Sequence, residues 1–119
     1  MYVLDAKGDP QEITDAIEWG RWYGNAANRV VKQDRIGIYL VSTVFLAIDH
    51  QFGGGPPILW ETLVFGPGHT EAVQFRECGD RFASLVGAID GHERACAAVR
   101  AAIQCGMSLT KSSNPVFPE

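Results

Sequence analysis

The sequence lacks the features that define several classes of protein. Its three cysteines, Cys78, Cys96 and Cys105, are odd in number and show no CxxC or paired Cys/His spacing. This pattern predicts free thiols and no disulfide framework, and it gives little support to a zinc site. The longest apolar-rich run, 36–48, is too short and too polar to span a bilayer, and no basic segment precedes an apolar one at the N-terminus. We therefore expect a soluble cytoplasmic protein with no membrane partner.

Positive charge is also in short supply. Ten Lys and Arg residues face fourteen Asp and Glu residues, which gives a formal net charge of −4 and a pI near 5.3. Because non-specific binding to DNA or RNA depends on neutralising many phosphates, a nucleic-acid polymer is not expected as a partner. One small anionic ligand is still compatible with this balance, since two arginines in a pocket suffice to bind it.

The composition is otherwise that of an ordinary globular domain. Hydrophobic residues make up 46% and charged residues 20% of the 119 positions. A chain of this length suits one hydrophobic core, so we predict a single domain over 1–119. The Ser- and Pro-containing segment 107–119 is expected to be an irregular tail.

The first half of the chain predicts a strand, a helix and then a series of strands. The helix is indicated by apolar spacing at i, i+3, i+4 and i+7, which is shared by Trp19, Trp22, Tyr23 and Ala26. Thr14 or Asp15 is expected to cap it. Apolar residues on both faces of 40–48 predict a central strand that is covered twice. The predicted strands are 2–5, 29–32, 36–39, 40–48, 59–65 and a weak one at 72–76, with a turn at 33–35.

The last helix has the clearest pattern. Apolar residues recur in alternating steps of four and three at Leu85, Ile89, His92, Cys96, Val99 and Ile103. Ser84 is expected to cap the helix and Gly106 to end it, while Gly87 and Gly91 are expected on other faces. The element order predicts an α+β fold: an antiparallel sheet of about four to five strands with an N-terminal helix and a long C-terminal helix packed on it.

The loop 49–57 brings an acid and an imidazole beside three glycines. Asp49, His50, Glu61 and His69 are residue types that bind metals, but no HxH, HxxxH or HExxH spacing connects them. Asp before glycines is also typical of a turn, because its carboxylate can bond the local backbone. We therefore predict a strand connection that doubles as a ligand loop, and no metal.

Two polar residues lie on apolar faces. Glu61 shares a predicted strand face with Leu59, Leu63 and Phe65. It is therefore expected to be solvated or paired with an arginine of a neighbouring strand, Arg29, Arg35 or Arg76. His92 lies on the apolar stripe of the last helix. It is either a buried histidine that bonds a backbone carbonyl or a neutral donor to a ligand.

Arginines cluster in the last third of the chain. Arg76, Arg81, Arg94 and Arg100 are interspersed with Phe75 and Phe82. Guanidinium groups bind phosphates and aromatic rings stack on bases, so this combination favours a nucleotide ligand. Arg81 and Phe82 are the preferred pair because they precede a helix N-terminus, which favours anions.

Recognisable catalytic motifs are missing. The sequence has no GxSxG, no P-loop, no GxGxxG between a strand and a helix, and no Cys/His pair with a third supporting group. We therefore predict no catalytic residue, no cofactor and no enzymatic activity. Two alternatives remain, a protein-interaction module that uses the apolar seam of the last helix, and a small hydrolase that uses Asp49, His50 and Glu61.

Two segments, VSTVFLAIDHQFGGGPPILWETLVFG (41–66) and DRFASL…GHERACAAV (80–99), resemble a group of small bacteriophage and prophage proteins. Their pattern reads VSTVFLGLDH…G.P.L.FETM.FGG…RY.T…EA..GH...V. The first segment matches closely. The second departs from it, because Phe82-Ala-Ser replaces a Tyr-Ser-Thr type of sequence and the usual acidic residues after it are missing. Ala47 stands where glycine is common.

This group is similar to the type 1 Thoeris anti-defence family. The resemblance implies a phage protein that binds a cyclic ADP-ribose signal in the host cytoplasm, sequesters it without cleavage, and assembles as a homodimer or higher homo-oligomer. It does not transfer individual binding residues, so the candidates come from residue chemistry. The predicted ligand-binding residues are Arg81, Phe82, His92, Arg76, Asp49, His50, Phe52 and Glu61.

Overall fold

The computed structural model describes residues 1–49, 55–68, 72–74, 81–106 and 110–111. The elements in chain order are β1 (Tyr2–Leu4), β2 (Pro10–Glu12), α1 (Ala16–Gly24), a 3-10 turn (Ala26–Asn28), β3 (Val30–Ile36), β4 (Tyr39–Phe45), β5 (Trp60–Phe65), β6 (Val73–Gln74), β7 (Arg81–Phe82), α2 (Leu85–Gln104) and β8 (Thr110–Lys111).

A four-stranded antiparallel sheet forms the centre of the fold. Its strand order is β3-β4-β5-β7, and β1–β2 and β6–β8 form two separate antiparallel pairs. Thr43 pairs with Thr62 across β4 and β5, and Asp34 pairs with Val41 across β3 and β4. Both helices pack on this sheet or its end, so the predicted α+β class and its two helices are confirmed.

Strand β3 is longer than the sequence indicated. The predicted turn at 33–35 is wrong, because Gln33, Asp34 and Arg35 continue the strand. The chain reverses instead in a two-residue loop after Ile36, where Gly37 adopts φ 60° and Ile36 pairs with Tyr39. Charged residues are tolerated in β3 because it is an edge strand with exposed side chains, and a charge-based turn prediction misses this.

Both helices have side-chain caps at their N-termini. Asp15, rather than Thr14, caps α1 by accepting hydrogen bonds from the N–H groups of Ile17 and Glu18 at 3.0 and 3.1 Å. Ser84 caps α2 as predicted, accepting from Gly87 N–H at 3.0 Å. The left-handed Gly106, with φ 71°, follows the end of α2.

The buried face of α2 consists mainly of small residues. It is formed by Ala88, Gly91, His92, Ala95, Cys96, Val99 and Ala102. Ile89 and Ile103, which were predicted for the stripe, are 42% and 40% exposed. Gly91, predicted on another face, packs against Phe82 so closely that a Cβ there would lie 2.1 Å from the ring Cζ. Small side chains let the helix approach the sheet, and a search for bulky apolar residues underestimates them.

Strand β4 is covered unequally on its two sides. Val41, Thr43 and Phe45 are fully buried on the side that faces α2. On the other side Leu40 and Val44 are half-buried, and Ser42 is 4% exposed. Both described helices contact the first side, since Trp22 of α1 packs against Phe45. The central position of β4 is therefore confirmed, but no described helix covers its second face.

Two apolar groups lie between the sheet and the helices. One surrounds the β3–β4 turn and includes Ile36, Tyr39, Val41, Val64, Val73, Ala95, Cys96 and Val99. The other lies at the opposite end of the strands, and we call its ring-bearing residues the aromatic cluster: Tyr2, Trp19, Trp22, Tyr23, Phe45, Trp60 and Phe82. Among the described residues, no helix has both the length and the apolar character to cross a membrane.

Candidate functional site

The aromatic cluster forms where α1, β1 and the start of α2 meet the end of the sheet. Phe45 lies 5.5 Å from Trp60 and 5.8 Å from Trp22 between ring centroids, with tilted and edge-on geometries. Trp19 stacks on Tyr23 at 4.7 Å. Rings in such arrangements bury large areas and provide faces on which a planar ligand can stack.

Trp60 carries an unused hydrogen-bond donor inside this cluster. The residue is only 2% exposed, and its indole Nε1 has no hydrogen-bond partner among the described residues. By contrast, the indole N–H of Trp19 donates to the carbonyl oxygen of Tyr2 at 3.1 Å. A buried donor without an acceptor costs about 1–3 kcal/mol, so native proteins rarely leave one unpaired. An acceptor atom of a ligand would satisfy it.

Arg29 supplies positive charge at the edge of the cluster. Its guanidinium lies 4.3 Å from the centroid of the Tyr23 ring, and its Nε donates to the Tyr23 carbonyl oxygen at 2.9 Å. These two contacts hold the side chain half-buried. Its Nη groups have no hydrogen-bond partner in the described part of the chain, so they are available to an anion.

Helix α1 is the lightly packed wall of the cluster. None of its side chains is fully buried, although Trp19, Trp22 and Tyr23 are half-buried against the sheet end. Helix α2, by contrast, has seven buried positions.

A second group of functional side chains lies near the middle of the sheet. We call it the polar network, and it consists of Asp34, Thr43, Thr62, His92 and Cys96. His92 is 0% exposed, with Nε2 at 2.7 Å from Asp34 Oδ2 and Nδ1 at 2.7 Å from Thr43 Oγ1. Thr43 Oγ1 is also 2.6 Å from Thr62 Oγ1.

One assignment of hydrogens satisfies the whole polar network. An ionised carboxylate only accepts, so His92 donates its Nε2–H to Asp34. His92 Nδ1 then accepts from the hydroxyl of Thr43, which in turn accepts from the hydroxyl of Thr62. In this arrangement both ring nitrogens of His92 are used inside the protein.

The network shifts the pKa values of its outer members. The hydrogen bond from His92 holds the pKa of the Asp34 carboxyl below its usual value, and nearby Lys32 and Arg100 act in the same direction. Burial raises the pKa of the Cys96 thiol to about 11, with the negative charge of Asp34 adding to the effect. Cys96 is therefore an unreactive thiol at neutral pH in this state.

The structure does not bring Arg81, Phe82 and His92 into one pocket. Arg81 and Phe82 are neighbours in β7, so their side chains lie on opposite faces of the sheet. Arg81 Nε donates to Glu61 Oε2 at 2.8 Å on the face away from α2. The partner of this acid is therefore Arg81, which was not among the three arginines predicted for it. The Phe82 ring packs against Gly91, next to the fully enclosed His92.

Asp49 lies at the start of the loop 49–57. Its Oδ1 accepts from the backbone N–H of Ile58 at 3.0 Å, which ties the two ends of the connection together. This supports its predicted role in a strand connection. His50, Phe52 and Arg76 lie outside the described residues, and so does His69.

Most residues of the aromatic cluster and the polar network were not among the predicted ligand-binding residues. Trp60 and Arg29 were assigned to strands without a functional role, because their separation in sequence hides their common position at the sheet end. Asp34 was assigned to a turn. One signal was present for the polar network: His92 and Cys96 are spaced i, i+4 on a helix, which puts them on one face.

Comparison of the chain with protein-family models, with curated protein sequences and with solved structures found no significant match.

Proposed function

We propose that this chain is a phage-encoded, non-enzymatic binding protein. It sequesters a small cyclic nucleotide of the cyclic ADP-ribose type in the host cytoplasm and thereby blocks bacterial immune signalling, as a homodimer or higher homo-oligomer. The resemblance of 41–66 and 80–99 to phage proteins supplies the ligand class and the biological setting.

The observation that carries the proposal is the indole N–H of Trp60, which has no acceptor in the described part of the chain and lies inside the aromatic cluster. A nucleobase offers both a flat ring for stacking and ring nitrogen or carbonyl acceptors for a buried donor. Arg29, at the edge of the same cluster, provides guanidinium groups for a phosphate. These three features of one end of the sheet support a nucleotide as the ligand.

Sequestration fits the chemistry of this end better than catalysis does. Two residues of the hydrolase alternative have structural partners, because Asp49 accepts from Ile58 N–H and Glu61 pairs with Arg81. The interaction-module alternative relied on an apolar seam of α2, but three of its six residues, His92, Cys96 and Val99, are buried on the sheet. Neither alternative draws on the unpaired donor of Trp60.

Isothermal titration calorimetry with cyclic ADP-ribose isomers tests the proposal. We expect saturable binding that weakens by about tenfold in Trp60→Phe, since one hydrogen bond contributes about 0.5–1.5 kcal/mol. Arg94→Ala, which removes an exposed arginine on the outer face of α2, is the control and should bind as the parent does. Absence of heat with every isomer, together with no mass shift in native mass spectrometry, would exclude this ligand class.

Two arginine variants locate the phosphate. Arg29→Gln should weaken binding by tenfold or more, whereas Arg81→Gln should change it little because Glu61 already neutralises Arg81. The reverse order would move the ligand to the opposite face of the sheet.

A release experiment distinguishes sequestration from catalysis. The loaded protein is heated and the released compound is identified; we expect to recover the intact ligand.

A further inference from the structure

The sulfur of Cys96, a ring nitrogen of His92 and a carboxylate oxygen of Asp34 converge beneath α2. All three ligand atoms lie within 4.8 Å of one another. His92 Nε2 is 2.7 Å and Cys96 Sγ is 3.9 Å from Asp34 Oδ2. His92 and Cys96 are one turn apart on α2, and β3 brings Asp34 to them from the sheet. These residues differ from the loop acids and histidines considered from sequence.

We propose that Asp34, His92 and Cys96 form a binding site for a zinc ion. This goes beyond the proposed nucleotide binding and does not depend on it, since the two sites share no residue. One imidazole, one thiolate and one carboxylate match the mixed ligand preference of Zn²⁺. Ca²⁺ and Mg²⁺ require mainly oxygen ligands, and Asp34 is the one residue of the three that supplies oxygen.

The spacing of the three atoms suits tetrahedral coordination after a small adjustment. Zn–N and Zn–O bonds of about 2.0–2.2 Å and a Zn–S bond of about 2.3 Å place ligand atoms roughly 3.3–3.6 Å apart. The 2.7 Å contact between His92 and Asp34 must lengthen, and the 3.9 Å contact between Cys96 and Asp34 must shorten. Both movements are smaller than 1 Å and can be made by the Asp34 side chain, which is 39% exposed. The ring nitrogen of His92 and Cys96 Sγ lie within 4.8 Å of each other, so these two atoms must approach by up to about 1.3 Å.

The surroundings provide orientation and access. Thr43 bonds the second nitrogen of His92, as outer groups of zinc sites do. Metal binding requires the tautomer in which Nδ1–H donates to Thr43 and the Thr43 hydroxyl donates to Thr62. The Cys96 thiol releases its proton to solvent on coordination. Asp34 reaches the surface, so the ion can arrive from that side and a water molecule can complete the coordination.

The charges near the site do not prevent a cation from binding. Lys32 forms an ion pair with Glu93, which neutralises it. Arg100 opposes the ion, but the ionised Asp34 and the Cys96 thiolate contribute two negative charges directly at the metal.

Cobalt substitution tests the site in the full-length chain. In a Cys78→Ser/Cys105→Ser variant, Cys96 is the only thiol. Addition of Co²⁺ should produce a near-ultraviolet thiolate-to-cobalt charge-transfer band that saturates at one ion per chain and disappears when Zn²⁺ displaces Co²⁺. Further replacement by Cys96→Ser should abolish the band, and Asp34→Asn should weaken Co²⁺ binding by tenfold or more.

A thermal melt of the unmodified chain gives an independent readout if the variants fold poorly. Zn²⁺ should raise the melting temperature relative to a sample treated with a chelator, whereas Ca²⁺ should not. The absence of a charge-transfer band together with a zinc-independent melting temperature would overturn the proposal. Co²⁺ binding that survives Cys96→Ser with unchanged affinity would also overturn it.

Discussion

Trp60 and His92 are both buried between the sheet and α2, and they differ in their hydrogen bonding. His92 has a partner at each ring nitrogen, on Asp34 and on Thr43, whereas the indole N–H of Trp60 has none among the described residues. In the sequence the two positions look alike, because each is a ring with a nitrogen among apolar residues.

The difference determines which kind of ligand each position can accept. At Trp60, any acceptor gains a hydrogen bond because the donor is unused, so a neutral atom of an organic molecule suffices. At His92, an incoming group must replace an existing hydrogen bond to Asp34. The incoming group must therefore bind the imidazole more strongly than the Asp34 carboxylate binds it, and a transition-metal ion does so.

The largest effect on stability is expected from His92→Ala, which tests whether the two hydrogen bonds of His92 hold the polar network together. The substitution removes two hydrogen bonds and leaves a cavity at a fully buried position, so the free energy of unfolding should fall by about 3–5 kcal/mol. Urea denaturation measures it. Arg94→Ala on the same helix breaks only an exposed pair and should stay within about 0.5 kcal/mol of the parent. Similar losses for the two variants would contradict the network.

A smaller loss is expected from Gly91→Ala, which tests the boundary between the aromatic cluster and the polar network. The new methyl group would overlap the Phe82 ring and force it to move, at a cost of about 1–3 kcal/mol. Gly20→Ala is the matched control, because no atom lies within 4 Å of a Cβ there. It should stabilise α1 by up to about 1 kcal/mol. Equal effects in chemical denaturation would mean that Phe82 does not rest on Gly91.

The smallest effect is expected from Ala47→Gly at the rim of the aromatic cluster. Ala47 is fully buried but adopts φ 65°, a conformation that costs a non-glycine residue about 1–2 kcal/mol. Relief of this strain should offset the lost methyl burial and the added chain entropy, leaving stability within about 0.5 kcal/mol of the parent.

Ala95→Gly provides the comparison for that variant. Ala95 is equally buried but lies inside α2, so its replacement should cost about 1–2 kcal/mol through lost burial and helix propensity. Differential scanning calorimetry separates the two variants. If Ala47→Gly lowered the free energy of unfolding as much as Ala95→Gly does, the left-handed conformation of Ala47 would not be strained.

Several parts of the fold were predictable because their signals are local. The Ser84 cap and the approximate extent of α2 follow from a capping side chain, a periodic pattern and a glycine at the end. The strand β4 followed from its β-branched residues. The continuation of β3 through Asp34 was not predictable in this way, because an edge strand tolerates the same polar residues as a turn.

The candidate sites were less predictable because they join distant positions. Arg81 and Phe82 are adjacent in the chain, and sequence proximity suggested a shared pocket, but strand geometry points them to opposite faces. Trp60 and Arg29 are thirty-one positions apart (60 − 29) and lie at one end of the sheet because β4 bridges β3 and β5.

The sequence by itself determined the α+β class and the limits of the last helix, because these depend on capping groups and on apolar periodicity within one segment. Only the tertiary structure decided that small residues form the buried face of α2 and that both ring nitrogens of His92 are bonded. It also decided that the indole N–H of Trp60 meets no acceptor among the described residues. Hydrogen bonds between separate elements depend on strand register and on the distance between layers. Neither quantity is encoded in any single segment of the chain.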